Sequence, residues 1–432
     1  MKFEKQFDSQ GRMRILDGMR YYKKTDEQNN APRLAIKLKE AVDEKCLEYA
    51  ANIAIKRHKI FSMQVVGDDK RYYLEPVNKN ITVQRDVEDE RIVIGKDGSA
   101  LTRISYNKDE IYIDFFHGIS DGMGVLAFSR TLLFYYLKEK YGKEPDGCEG
   151  VILEDTPEDP REYADKLMFA EGEEVVFSRK YQYDKAYQIK DEQIESAIEC
   201  KYYEMRINAA EFECFMRENS TSRAAMFSLF MNRVIAECNG VSDEPVVAAL
   251  AVNARPALGA EITEQCCVET IPLWYDAAIH EMSLKEQLIA TREMLVEGMK
   301  TEAIVSSAQR TLKFNENLEQ KFNTLDEKRE YAIMINKTGG VKYTYGISYV
   351  GAVQYGKGID MHVEKTYAKL CANTIPIIIE IVKCDDYYHL SYCTHLEDDP
   401  YIMKLKDEYV KAGISCTVEQ KNNYVEPLVI FK

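Results

Sequence analysis

The sequence predicts a mixed α/β protein built from two domains, each of which is a β-sheet covered by helices. A chain of 432 residues with 45% hydrophobic content can bury more than one core, because a domain takes about 100 to 200 residues. Segments with helical and with strand periodicity occur in both halves of the chain. No short-period repeat is visible, which disfavours solenoids and propellers.

The first half begins with a helix and continues with strands. Asp43 is a suitable N-cap, and small and apolar side chains follow it at helical spacing as far as Ala54. Strands are predicted at 71–75, 101–106 and 110–116. The polar residues between the last two strands predict a hairpin, and apolar positions from Val125 to Leu137 predict a helix that ends near Lys140.

A connecting segment divides the chain. Between Gly142 and Lys166 the sequence is acidic and contains three prolines, with few periodic apolar positions. We therefore predict domains at 1–165 and 166–432, with a crossover linker at about 142–200.

The second half repeats the mixture of helices and strands. Helices are predicted at 209–219, at 222–238 and after Ser283. Ser283 and Glu286 have the spacing of a capping box at the head of that last helix. Strands are predicted at 245–252, 343–350, 374–382 and 387–394.

Charge and hydropathy exclude several kinds of partner. The 72 acidic and 57 basic residues give a formal net charge of -15, which disfavours nucleic acid and anionic membranes as partners. The longest apolar runs have the length of strands, so we expect no membrane span. The polar amino terminus does not resemble a signal peptide, and we expect a cytoplasmic protein.

The eleven cysteines have no regular spacing, so we expect reduced thiols rather than a disulfide framework. The adjacent pair Cys266 and Cys267 is poorly arranged to share one metal ion. One strand would place four side chains on a single face, namely His389, Ser391, Cys393 and His395. That set could bind zinc, but the tyrosine and leucine residues that alternate with it explain an ordinary strand, and we expect no metal site.

The stretch from Ile111 to Gly124, IYIDFFHGISDGMG, carries the main chemical signal. A predicted strand ends at His117, and Asp121 and Gly122 follow before a helix begins, in the pattern H-x-x-x-D-G. A histidine at a strand end is held by rigid structure, and an imidazole pKa near neutrality suits proton transfer. A hydrogen-bonded structural histidine is the alternative.

His117, Asp121 and Gly122 match the HxxxDG signature, so the chain resembles the chloramphenicol-acetyltransferase-like superfamily. That superfamily includes peptide-synthetase condensation domains, plant BAHD acyltransferases and alcohol acetyltransferases. The flanking segments 56–61 and 131–136 are most similar to bacterial alcohol acetyltransferase-like proteins, as is the sequence YYLEP at 72–76.

The resemblance extends thinly into the second half. Val252 to Pro256 looks like the family's V-N-x-R segment, and Ile347 to Gly351 looks like its S-N-x-G segment. The chain departs from the family pattern at two positions. Tyr349 stands where many relatives have asparagine, and Phe116 stands where many have a second histidine.

The resemblance implies two similar domains with a tunnel between them and His117 midway along it. His117 would act as the general base that activates an alcohol or amine acceptor against an acyl thioester, without an acyl-enzyme intermediate. Ser348 is the expected oxyanion donor, although a hydroxyl that satisfies a backbone group is an alternative. Asp121 and Gly122 would support the site, with Arg255 as the partner of Asp121.

We expect acyl-CoA, with acetyl-CoA as the first choice, to be a cosubstrate rather than a permanently bound cofactor. An acyl group bound to a carrier protein, as condensation domains use, is the variant. The departures at Tyr349 and Phe116 leave a rival hypothesis, in which the protein keeps the fold as a non-catalytic binding or scaffold protein.

Overall fold

A computed structural model describes residues 3–86, 91–180, 183–189, 198–339, 342–372 and 375–431. The strands among them are β1 (Met13–Arg14), β2 (Arg33–Leu38), β3 (Met63–Gly67), β4 (Tyr72–Pro76), β5 (Gln84–Arg85), β6 (Val93–Ile94), β7 (Thr102–Asn107), β8 (Glu110–Phe115), β9 (Glu199–Asn208), β10 (Val246–Asn253), β11 (Val268–Tyr275), β12 (Tyr345–Ala352), β13 (Val363–Lys369), β14 (Ile377–Cys384), β15 (Tyr387–Thr394), β16 (Cys416–Val425) and β17 (Leu428–Val429). The helices are α1 (Met19–Tyr22), α2 (Glu44–Arg57), α3 (Gly122–Tyr141), α4 (Lys166–Ala170), α5 (Ala209–Glu218), α6 (Arg223–Asn239), α7 (Arg255–Leu258), α8 (Ala277–His280), α9 (Leu284–Gly298), α10 (Thr301–Lys321), α11 (Leu325–Gly339), α12 (Lys357–Asp360) and α13 (Tyr401–Lys411).

Two large sheets organise the molecule. The first has the order β13-β2-β8-β7-β5, and α2 and α3 share its hydrophobic core. The second is a mixed sheet with the order β11-β10-β12-β14-β15-β9-β16, and α6, α9 and α13 pack on it. The predicted class, two sheets each covered by helices, is confirmed.

The sheets cannot be divided between two consecutive segments of the chain. Strand β13, from the second half, pairs with β2 and completes the first sheet. Near the carboxyl end, β17 pairs with β6. The boundary between 1–165 and 166–432 therefore stays a prediction. Two strands from the second half, β13 and β17, pair with strands of the first half.

Most predicted elements are present with shifts of a few residues. The hairpin is formed by β7 and β8, and Ser283 and Glu286 form the expected capping box on α9. The strand predicted at 374–382 begins at Ile377, and its expected first residue, Thr374, lies outside the described residues.

The expectation of reduced cysteines is wrong for one pair. Cys200 and Cys371 form a disulfide with their Cα atoms 6.1 Å apart, and 171 positions separate them in the sequence. The fold brings β9 against the segment that follows β13, and no sequence spacing could show this contact. His395 lies beside the same pair, so one group in the described part of the chain has the composition of a metal site. The sulfurs of Cys200 and Cys371 are bonded to each other. The strand face that includes His389 and Cys393 does not bring potential metal ligands together in the described part of the chain.

None of the helices in these ranges combines the length and the apolar character needed to cross a bilayer.

Candidate active site

A cavity of about 220 Å³ lies between the two large sheets, and its wall is mostly apolar. Both halves of the chain contribute to it, including Phe115 and Val125 from the first half and Ile347 from the second. Polar residues on this wall include His117, Ser348, Glu380 and Asp121. Predicted site residues more than 200 positions apart thus meet in one cavity.

His117 follows β8 and is held on two sides. Its backbone N–H donates to the carbonyl of Asn30, and its ring Nδ1 lies 2.8 Å from the carbonyl oxygen of Ser120. A carbonyl only accepts hydrogen bonds, so Nδ1 carries the proton in this contact. The neutral ring therefore has its lone pair on Nε2, which is the tautomer that a base in the cavity requires.

Asp121 caps α3 and forms an ion pair with Arg255. Its Oδ1 accepts from the backbone N–H groups of Met123 and Gly124, and its Oδ2 accepts from that of Cys267 at 2.7 Å. Both oxygens also receive guanidinium N–H groups of Arg255 at 2.9 Å, and the two side chains are almost fully buried. Burial raises the pKa of Asp121, but Arg255 and these N–H donors hold it below its usual value.

Five donors thus occupy the Asp121 carboxylate, although the residue borders the cavity. No lone pair of this group is left for proton transfer at neutral pH. The predicted contact between Asp121 and Arg255 is present, and its role in positioning His117 remains a prediction.

Two glycines of this turn are required by close contacts. A Cβ at Gly118 would lie 2.2 Å from the ring of Phe116, and one at Gly124 would lie 2.1 Å from the carbonyl oxygen of Glu264. Gly122 is less restricted, because a Cβ there would lie 3.3 Å from Val350 on the opposite wall. Gly122 therefore keeps space open in the cavity.

Ser348 lies beside a carboxyl group that the sequence analysis missed. Ser348 of β12 and Glu380 of β14 are register neighbours on parallel strands, and both residues line the cavity. Burial raises the pKa of Glu380 to about 7, although Ser348 and the charge of His117 act to lower it. One signal was available, because Glu380 is the only charged residue in the apolar run from Ile377 to Val382.

Cys266 is a second residue that the sequence analysis did not assign to the site. Its Sγ lies 3.7 Å from Nδ1 of His117. Burial lowers the pKa of His117, but the Cys266 sulfur and the Ser120 carbonyl raise it to about 9. Burial likewise raises the pKa of Cys266, whereas Arg20 and His117 bring it below its usual value. His117 therefore differs from the near-neutral histidine that the sequence predicted.

The two departures from the family pattern lie away from the cavity. Phe116 is buried against Tyr21 and Phe431, while the preceding Phe115 lines the cavity. Tyr349 packs against Phe227 with the helices on the far side of its sheet. Alternation of side chains along each strand thus leaves the cavity wall unaffected by either departure.

Solved structures of three enzymes or enzyme domains superpose on nearly the whole chain. The epimerization domain from the third module of tyrocidine synthetase B gives a TM-score of 0.62 with 12% identity, covering 93% of this chain and 96% of that one. TRI101 of F. graminearum with ethyl coenzyme A gives 0.55 with 12% identity over 92% and 98%. The first condensation domain of the CDA synthetase gives 0.52 with 12% identity over 94% and 95%. The chain has the fold of these proteins.

The chain therefore shares its fold with condensation and epimerization domains and with TRI101, which agrees, at the level of the fold, with the resemblance described above. No protein-family model matches the chain, and no curated protein matches it in sequence. At 12% identity the likeness establishes the fold alone, so the chemistry has to be argued from the cavity.

Proposed function

We propose that the protein is an acyltransferase, which moves an acyl group from a CoA thioester to an alcohol or amine acceptor with His117 as the general base. The observation that carries this proposal is the state of the His117 ring. Its Nδ1 donates to the Ser120 carbonyl, so in the neutral ring, whose share rises with pH towards about 9, Nε2 accepts a proton in a cavity that both halves line.

The reaction proceeds through one tetrahedral intermediate. Nε2 of His117 takes the proton of the acceptor hydroxyl or amine as its oxygen or nitrogen attacks the thioester carbon. The resulting oxyanion collapses, the carbon–sulfur bond breaks, and the thiolate recovers the proton from His117. No acyl-enzyme forms, and base catalysis of this kind contributes about 10² to 10⁴ in rate.

Ser348 stabilises the oxyanion with its hydroxyl proton, and Glu380 decides whether that proton is available. When Glu380 is ionised it accepts the Ser348 hydrogen bond. When Glu380 is protonated it donates to Ser348, so that the hydroxyl proton is free for the oxyanion. The pKa of about 7 keeps both states accessible near neutrality.

The donor is the less defined substrate. TRI101 has been solved with ethyl coenzyme A, and with coenzyme A and deoxynivalenol together, which favours an acyl-CoA cosubstrate here. Condensation domains of the same fold favour the variant with an acyl group on a carrier protein. Free thiol release from acetyl-CoA and longer acyl-CoA donors, with a panel of alcohols and amines, tests the proposal.

We predict that His117→Ala lowers the rate of acyl transfer by a factor of at least about 10². The melting temperature should change little, because the substitution removes the base but few packing contacts. His362→Ala is the control, since His362 stacks on Tyr141 and does not line the cavity. Equal activity of His117→Ala and wild type contradicts the proposal. No thiol release with any donor, and no thermal shift with coenzyme A, would favour a non-catalytic binding protein.

A second candidate function is epimerisation of a thioester-bound acyl group. Two groups suited to proton transfer, His117 and Glu380, line one cavity from different sheets, and one similar structure is an epimerization domain. One group would remove the proton from the carbon next to the carbonyl, and the other would return a proton to the opposite face. Solvent deuterium incorporated at that carbon of an aminoacyl thioester, and lost in Glu380→Gln, would favour this function over acyl transfer.

A further inference from the structure

A second, smaller cavity adjoins the one that contains His117. The two cavities share the side chains of Leu370, Ile375 and Ile378. The smaller cavity is lined by three cations, Arg20, Lys23 and Lys24, together with side-chain amides and no acidic residue. Three converging cations are unusual in a chain with 15 more acidic than basic residues.

The charge of this cluster is only partly neutralised within the protein. Arg20 pairs with Asp17 at 2.6 Å, and Lys24 pairs with the exposed Asp26 at 3.3 Å. Among the described residues, no side chain makes an ion pair or hydrogen bond with Lys23. Burial and the neighbouring charge of Arg20 lower the pKa of Lys23. A partly buried ammonium group beside a guanidinium is stabilised by an anion that arrives from outside.

Lys369, on the wall of the larger cavity, provides a contrast. Burial lowers its pKa to about 8, and its ammonium group lies 4.2 Å from the centre of the Tyr202 ring, with Tyr367 and Tyr424 also near it. Aromatic faces offset the charge of Lys369. Lys23 has no such ring contact in the part of the chain that is described, so its environment is the one that is suited to a bound anion.

The cation cluster lies next to the candidate base. Arg20 is close enough to lower the pKa of both Cys266 and His117 by its charge. Because the two cavities share lining residues, a molecule whose anionic group lies in the smaller cavity can extend into the cavity of His117. We infer that Arg20, Lys23 and Lys24 form a subsite for the phosphate or carboxylate group of a substrate, an inference that rests on the proposed function.

Two sources can supply such an oxyanion, and each has its own test. If it is a phosphate of the acyl donor, coenzyme A should bind Lys23→Met at least tenfold more weakly than wild type, whereas pantetheine, which lacks the phosphates, should bind both equally. If it is an acid group of the acceptor, 4-hydroxybutyrate should show the loss and 1,4-butanediol should not. Both comparisons are made by titration calorimetry of the full chain.

Lys23→Arg should restore the lost affinity, because it keeps the charge. Lys138→Met is the matched control, since Lys138 is exposed and pairs with Glu144 away from both cavities. Equal affinities of Lys23→Met and wild type for coenzyme A and for 4-hydroxybutyrate would overturn the subsite. Calorimetry measures binding without turnover. If the protein binds the anion through Lys23 but transfers no acyl group, the proposed function is refuted and the subsite is supported.

Discussion

At the scale of single residues, the candidate site depends on charges that are buried together. The Asp121 carboxylate and the Arg255 guanidinium are 1% and 4% exposed, and each satisfies several backbone groups besides the other. His117 is tied to the same turn through the Ser120 carbonyl. A change at one member is therefore expected to move the ring of His117 as well as to alter stability.

Asp121→Ala should lower stability and acyl transfer together. Removing one partner of a buried pair leaves the other charge uncompensated, which costs about 3 to 5 kcal/mol. Asp121→Asn should be milder, because the amide keeps one acceptor oxygen. Chemical denaturation and thiol release measure the two effects, and the exposed Asp69→Ala is the control. A stable but inactive Asp121→Ala would show that Asp121 takes part in the chemistry itself.

We expect Cys266 to influence the pH at which His117 acts as a base. Because the Cys266 sulfur raises the pKa of His117 to about 9, the neutral ring and the rate should increase as pH rises towards that value. Cys266→Ser removes this influence, so the rising limb of the pH–rate profile should move to lower pH and the rate at pH 7 should increase. The exposed Cys214→Ser should leave the profile unchanged. A profile that is identical in Cys266→Ser would rule out the coupling.

At the scale of secondary-structure elements, some helices and strands are easier to predict from the sequence than others. The apolar face of α3 and the capping box of α9 predicted these two helices. α10 was missed, because its buried face includes small and polar side chains such as Ala303, Ser306 and Asn315. β13 was missed as well, and its pairing with β2 brings Cys371 to Cys200 on β9.

The disulfide should stabilise the junction of β9 with the segment after β13. A cross-link over 171 positions stabilises by up to about 5 kcal/mol in the chain-entropy model. Reductant should therefore lower the melting temperature of the wild type to that of the variant with Cys200→Ser and Cys371→Ser, and should not affect the variant. A wild-type melting temperature that does not respond to reductant would contradict the prediction.

At the scale of the whole molecule, the two halves of the chain depend on each other. Besides β13 and β17, the buried Glu426 accepts from the backbone N–H groups of Asn29 and Ala31, close to the start of β2. The cavity itself has walls from both large sheets. Neither half alone forms the wall of this cavity.

A fragment of residues 1–165 should not unfold cooperatively on its own. Its sheet would lose β13 at one edge and expose apolar surface that the second half covers. Thermal unfolding followed by circular dichroism tests this, with the full chain as the reference. A sharp transition of the isolated fragment would show that 1–165 is an independent domain.

The sequence by itself determined the local features of this protein: the strand and turn that present His117, the apolar face of α3, the capping box of α9, and the two-sheet class. These depend on hydrogen bonds and side-chain periodicity within a few residues. Family likeness, and not spacing, suggested the partnership of Asp121 with Arg255.

Only the tertiary structure decided which distant residues share the cavity. Cys266 is 149 positions from His117, and Glu380 reaches Ser348 through the parallel register of β14 with β12. The strand order of the sheets and the crossing of β13 set these contacts and the neighbouring cation cluster. Such convergence leaves no local pattern, because it depends on how whole elements pack against each other rather than on neighbours along the chain.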